Sequence, residues 1–136
     1  MSVFFNKKRL TYCLLVTGAP YGTQTATNAW QFANGLFVSG NTLKTVFFYQ
    51  DGVYNGNKLN LPAGDEFNLL SGWKTIMEKT GCTLHICFAA ALRRGVVNEI
   101  KTKNIDLYSN LDKNFVLSGL TKLVEAMLIC DRTVQF

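Results

Sequence analysis

Thr83-Leu84-His85-Ile86-Cys87-Phe88-Ala89-Ala90-Ala91-Leu92-Arg93-Arg94-Gly95 changes character in its middle, and that change decides the fold. The run up to Cys87 has the length and apolar content of a buried strand, whereas Ala89 to Leu92 favours helix and Arg93-Arg94-Gly95 ends the segment with two cations and a turn residue. A strand passing straight into a helix is half of a β-α-β unit. It predicts a thiol, Cys87, at a strand's carboxyl end, where open α/β sheets place their reactive and binding groups.

The units on either side follow the same plan. Leu10 to Thr17 is a near-continuous apolar run, as expected of a strand buried on both faces of a parallel sheet, and Cys13 inside it reads as core. The loop Gly18-Ala19-Pro20-Tyr21-Gly22-Thr23 leads into a helix with an apolar stripe at Ala26, Ala29, Trp30, Ala33, Leu36 and Phe37; Thr23 is its expected cap and Gly40 its stop. Leu43 to Tyr49 reads as the second strand, and Gln50 to Gly64 as a long polar loop in which Asp51 and Tyr54 are candidates to order the rim of a site. A second helix is expected from Asp65 to Thr80, with Leu69, Leu70, Trp73, Ile76 and Met77 on one face and Gly81 as its stop. Val96 to Leu111 reads as a helix fading into a polar loop. From Ser118, read as a cap, the repeat of Leu120, Leu123, Val124, Met127 and Leu128 marks the last helix, and Thr133 to Phe136 closes the chain as a short strand. The expectation is a single α/β domain over 1–136, a mainly parallel sheet flanked by helices in three Rossmann-like layers.

Composition narrows the function classes. A chain of 136 residues is one domain with enough core to stand without staples. Its four cysteines, at 13, 82, 87 and 130, include no CxxC pair, so they read as reduced thiols rather than a zinc site or a disulfide framework. No apolar run approaches a membrane span and the start lacks a signal-peptide core, so no membrane association and a cytoplasmic location are expected. The net charge of +5 invites a nucleic-acid reading. Its basic clusters, Lys7-Lys8-Arg9, Arg93-Arg94 and Lys101/Lys103, are short and not interleaved with aromatics, which favours an acidic protein partner or a solvated surface over direct RNA contact.

Cys87 is the candidate nucleophile, with Arg93 and Arg94 and a helix N-terminus as the groups expected to favour its thiolate. His85, two residues earlier, falls on the same side of the strand and is either a base for that thiol or a histidine packed under a helix. Cys82 is expected to be partly exposed. The glycine loop at 18–22 matches neither GxGxxG nor GxxxxGK[ST], yet it leaves a nucleotide-binding enzyme as one rival. A non-catalytic interaction subunit, with Cys87 as packing, is the other. Phe4, Phe5, Tyr21, Val53 and Tyr54 are candidates for exposure: either a complex buries them or they fold back onto the domain.

Several segments, in order, carry a resemblance. Val16-Thr17-Gly18-Ala19-Pro20-Tyr21-Gly22-Thr23-Gln24, Val46-Phe47-Phe48-Tyr49 with Asp51-Gly52-Val53-Tyr54, Cys87 to Gly95, and Cys130-Asp131-Arg132-Thr133-Val134-Gln135-Phe136 are similar to the DsrE/DsrF-like sulfur-relay family. The resemblance runs from Leu10 to Phe136; Met1 to Lys8 is an extension, and Val96 to Asn114 matches loosely. It implies a sulfurtransferase subunit whose Cys87 carries a persulfide, taking sulfur from a TusA-like donor and passing it to a TusE-like acceptor towards 2-thiouridine in tRNA. It also implies assembly with TusB-like and TusC-like subunits into a heterotrimer that doubles to a heterohexamer. Persulfide transfer is thiol-disulfide exchange and requires no cofactor and no metal.

Overall fold

The computed structural model describes residues 8–98 and 109–136. Five strands, β1 (Thr11–Val16), β2 (Thr42–Phe48), β3 (Thr83–Cys87), β4 (Phe115–Ser118) and β5 (Arg132–Gln135), form one sheet in the order β4-β3-β2-β1-β5. Every pairing is parallel. Among the described residues the α-helices are α1 (Thr25–Val38), α2 (Leu69–Thr80), α3 (Phe88–Arg93) and α4 (Leu120–Ile129). This is the expected α/β architecture, with the sheet parallel throughout rather than mainly so.

Alternation sorts the sheet into two faces. Leu14, Val16, Val46, Phe48, Leu84 and Ile86 are all buried, and Phe48 packs edge-on against Trp73 of α2, so this face lies under α1 and α2. Helix α1 presents Ala26, Ala29 and Ala33 to the core, small side chains that let its backbone come close to the sheet. The opposite face carries Cys13, Phe47, His85, Cys87, Val116 and Ser118, and α4 packs on it near β1 and β2.

Several boundaries differ from the sequence reading. Thr23 does not cap α1: the N-cap is Gln24, without a side-chain bond. Helix α2 starts at Leu69, because the Asn68 side chain accepts from Ser71 N at 3.1 Å and so closes the first turn there. Strand β4 has no counterpart in the sequence reading, since its four residues stand in an otherwise polar stretch and carry no visible alternation. Ser118 is accordingly the last residue of that strand, and Gly119 takes the N-cap position of α4.

The segment after β2 is not an open loop. Gln50–Gly56 winds into a 3-10 helix and Val53 is 0 % exposed, which corrects its expected exposure; Tyr54 is half-buried. The cause is Asn55, buried among polar partners: its Nδ2 donates to the Gly18 and Gly52 carbonyls, and its Oδ1 accepts from Trp73 Nε1 at 3.1 Å. Gly52 allows this close approach, because a Cβ there would lie 2.0 Å from the Val16 carbonyl oxygen. Tyr21 is exposed as expected, whereas Phe4, Phe5, Lys101 and Lys103 lie outside the described residues. Among the described residues, no helix is long and apolar enough to cross a membrane.

Candidate active site at Cys87

Cys87 is both the last residue of β3 and the N-cap of α3. Its backbone is extended, at φ −61° and ψ 116°, and the next residue is already helical, so the strand-to-helix change legible in the sequence occurs at the thiol itself. The neighbouring strand repeats the arrangement. Ser118 ends β4, Gly119 follows as the N-cap of α4, and neither N-cap, Cys87 or Gly119, forms a side-chain capping bond. Two helices therefore start side by side at the carboxyl edge of β3 and β4, and their N-terminal ends place positive partial charge around the cysteine.

The topological switch point of the sheet lies elsewhere. Strand order reverses between β1 and β5, where a crevice is expected, but Thr17 N and Oγ1 both bond the Phe136 carbonyl there, at 2.8 and 3.0 Å. Cys87 sits two strands away on β3. The sequence rule about carboxyl ends holds for it; the rule about the crevice does not.

The partners of Cys87 are set by register. Cys87 pairs with Ser118, and His85 pairs with Val116, so Cys87, His85 and Ser118 project from one face. His85 Nδ1 lies 2.6 Å from Ser118 Oγ, and its ring stacks on Phe47 at 6.2 Å between centroids. Burial lowers the His85 pKa from its ordinary 6.5; Lys122 on α4 lowers it further and Glu125 opposes this. His85 is thus packed under α4, as the second reading has it, and is bonded to the register partner of Cys87. Ser118 is no cap, although a serine before an apolar repeat is the usual cap signal; the pairing of β4 with β3 gives it its other role.

The arginines take different places. Arg94 Nε donates to Asp51 Oδ1 at 2.8 Å and Nη1 donates to the Ala90 carbonyl at 3.1 Å, whereas Arg93 is exposed. Arg94 therefore fastens α3 to the 3-10 helix through Asp51. Among the described residues, no hydrogen bond or ion pair joins either guanidinium to Cys87.

The other cysteines are held as thiols by burial. Burial pushes the Cys13 thiol up to about 12, with the Cys130 thiol adding to it, and burial likewise raises Cys82 and Cys130. Cys82 is buried, not partly exposed as expected, because it enters β3 beneath the turn after α2. Cys87 is 4 % exposed, so its sulfur is shielded in the single chain, with the exposed Phe88 and Leu92 close by on α3. Among the described residues, no group of three His, Cys, Asp or Glu side chains could hold a metal.

The glycine loop after β1 has a structural account. A Cβ on Gly18 would meet the Thr25 side chain at 2.7 Å, and the Gly18 carbonyl is taken by Asn55. Those contacts dock α1 and the loop against the 3-10 helix, and none of them presents a phosphate cradle.

The chain matches the DsrE/DsrF-like family over residues 11–136. It is 56 % identical over 128 residues to a protein of Photorhabdus laumondii called sulfurtransferase TusD, covering 93 % of this chain and 98 % of that one. The crystal structure of the YchN protein from E. coli superimposes with a TM-score of 0.73 over 95 % of this chain and 100 % of that one, at 21 % identity. That likeness concerns the fold.

Proposed function

The chain belongs to the DsrE/DsrF-like family, and on that premise we propose that it is a sulfurtransferase that carries sulfur as a persulfide on Cys87. The observation that carries this reading is the position of Cys87 at the end of β3, where α3 and α4 begin side by side without side-chain caps. A thiolate and a persulfide anion are both favoured at such a place. The Cys87 thiolate attacks the outer sulfur of a donor persulfide, the donor thiolate leaves, and an acceptor thiolate later takes the same sulfur by the same exchange. Shielding of the thiol in the single chain suits a relay, since a persulfide open to solvent would react with stray thiols.

The donor is a TusA-like carrier and the acceptor a TusE-like one, with 2-thiolation of tRNA wobble uridine as the destination. The four cysteines are all free, which suits a reducing compartment such as the cytoplasm. Assembly with TusB-like and TusC-like chains is supported by α4. Leu120, Val124, Met127, Leu128 and Ile129 are exposed on it, together with Val116 on β4. The apolar repeat that identified this helix thus points largely outward, on the sheet face that carries Cys87, so a partner seated there would border the thiol.

The test is incubation of the full chain with a cysteine desulfurase, labelled cysteine and a TusA-like carrier, followed by location of the label. Label on Cys87, and none in Cys87→Ser, is expected. Label retained by Cys87→Ser on Cys13, Cys82 or Cys130 overturns the assignment.

A further inference from the structure

We propose that Ser118 is a positioning residue of the Cys87 site, its hydroxyl linking the thiol to the His85 imidazole so that the three form a proton relay. The inference rests on the reading of Cys87 as the sulfur carrier and adds how its proton is handled. Three observations place the groups. Cys87 and Ser118 are register partners on adjacent strands, whose backbones lie about 4.8 Å apart, so their side chains rise from the same face. Ser118 Oγ and His85 Nδ1 are 2.6 Å apart, short for a hydroxyl and an imidazole. The hydroxyl has no capping duty, because Gly119 holds the N-cap position of α4.

The direction of the chain follows from the acceptors on offer. The other acceptor of the Ser118 hydroxyl, the Val116 carbonyl, is 3.4 Å away, so the proton on Oγ goes to His85 Nδ1 and the neutral imidazole carries its own on Nε2. An Oγ lone pair is left, and in the relay the Cys87 thiol, whose side chain bonds no partner among the described residues, rotates to donate its proton to it. Among the described residues, the charged groups facing His85 come from α4, Lys122 and Glu125, themselves paired at 3.2 Å; β2 contributes Phe47 and β4 the serine. Burial keeps the imidazole neutral at neutral pH and able to accept. In the loading step the thiol proton passes to Oγ as the Oγ proton passes to Nδ1. The Cys87 thiolate bonds to the outer sulfur of the donor R–S–SH, the donor S–S bond breaks, and R–S⁻ leaves with the electron pair and recovers the proton from the imidazolium. The products are Cys87–S–SH and R–SH, with no net change of oxidation level.

The experiment is single-turnover loading of the full chain from a small thiol persulfide across pH. In the unaltered chain the rate should rise along an acid limb below pH 6.5, where His85 becomes neutral. Ser118→Ala and His85→Gln should remove that limb and slow loading at pH 7 by about tenfold or more; Ser118→Thr, which keeps the hydroxyl, should restore both. A merely structural serine would lower the rate equally at every pH and keep the limb, and that result overturns the relay, as does an unchanged Ser118→Ala profile. If Ser118→Ala fails to fold, the comparison of Ser118→Thr with His85→Gln decides. An unaltered chain that takes no sulfur on Cys87 at any pH overturns the sulfur-carrier reading, and the relay falls with it; normal loading with a pH profile indifferent to Ser118 and His85 overturns the relay alone.

Discussion

Arg94 Nε lies 2.8 Å from Asp51 Oδ1, and this pair joins the helix that begins at Cys87 to the 3-10 helix that follows β2. Asp51 is largely exposed, so the attraction is screened and its worth lies in positioning α3 more than in stability. Arg94→Gln and Asp51→Asn should each cost about 0.5–1 kcal/mol, and their double-mutant coupling should shrink in high salt. Denaturant midpoints of the four proteins in low and high salt check this. Independent, salt-insensitive effects would mean that the pair does not act as one.

Asn55 should be among the least replaceable polar residues. Removal of its side chain in Asn55→Ala leaves the Gly18 and Gly52 carbonyls and the Trp73 indole N–H without their shared partner. Buried groups stripped of partners cost about 1–3 kcal/mol each when nothing relaxes, so a loss of about 3 kcal/mol in urea unfolding is expected. A loss below about 1 kcal/mol would show that water replaces the amide.

Stability should fall with mild acid through His85. Its pKa is lowered in the folded protein, so below the ordinary 6.5 the unfolded chain binds the proton first and folding is disfavoured. The contribution is complete above pH 6.5 and is lost as pH falls through the folded value. Asp112 and Asp131 are also lowered, from 3.8, and their contributions disappear only in stronger acid. Between pH 7 and 5 the unfolding midpoint should drop in the parent chain and flatten in His85→Gln. Parallel slopes would remove His85 from the account.

The outward face of α4 should govern assembly and not folding. Val124→Lys with Leu128→Glu alters two exposed side chains, so the stability of the single chain should stay within about 0.5 kcal/mol per substitution. Co-purification with TusB-like and TusC-like chains should be lost, and light scattering should show less self-association of the isolated chain. Unchanged co-purification would place the partners elsewhere.

Much of the architecture was legible because the signals are local. The run Thr11 to Val16, the alanines of α1, the stripe of α2 and the change of period at Cys87 each follow from side chains a few residues apart. The weak points were equally local in origin. Four residues of β4 are too few to show a period, and the polar composition of Gln50 to Gly64 hid Asn55, whose side chain replaces backbone partners inside the fold. Nothing in that stretch distinguishes an asparagine bound for solvent from one bound for the core.

The sequence by itself determined that this is a parallel α/β domain of the DsrE/DsrF-like family with a cysteine at the end of its third strand, because periodicity and a family's ordered segments are properties of the chain. Tertiary structure alone decided what stands beside that cysteine. Ser118 is 31 positions away and meets Cys87 only through strand register, and Arg94, seven positions away, turns from the thiol towards Asp51. The same holds for α4: its repeat shows that it is a helix, but whether the apolar stripe faces the sheet or a partner depends on how little of it β1 and β2 cover.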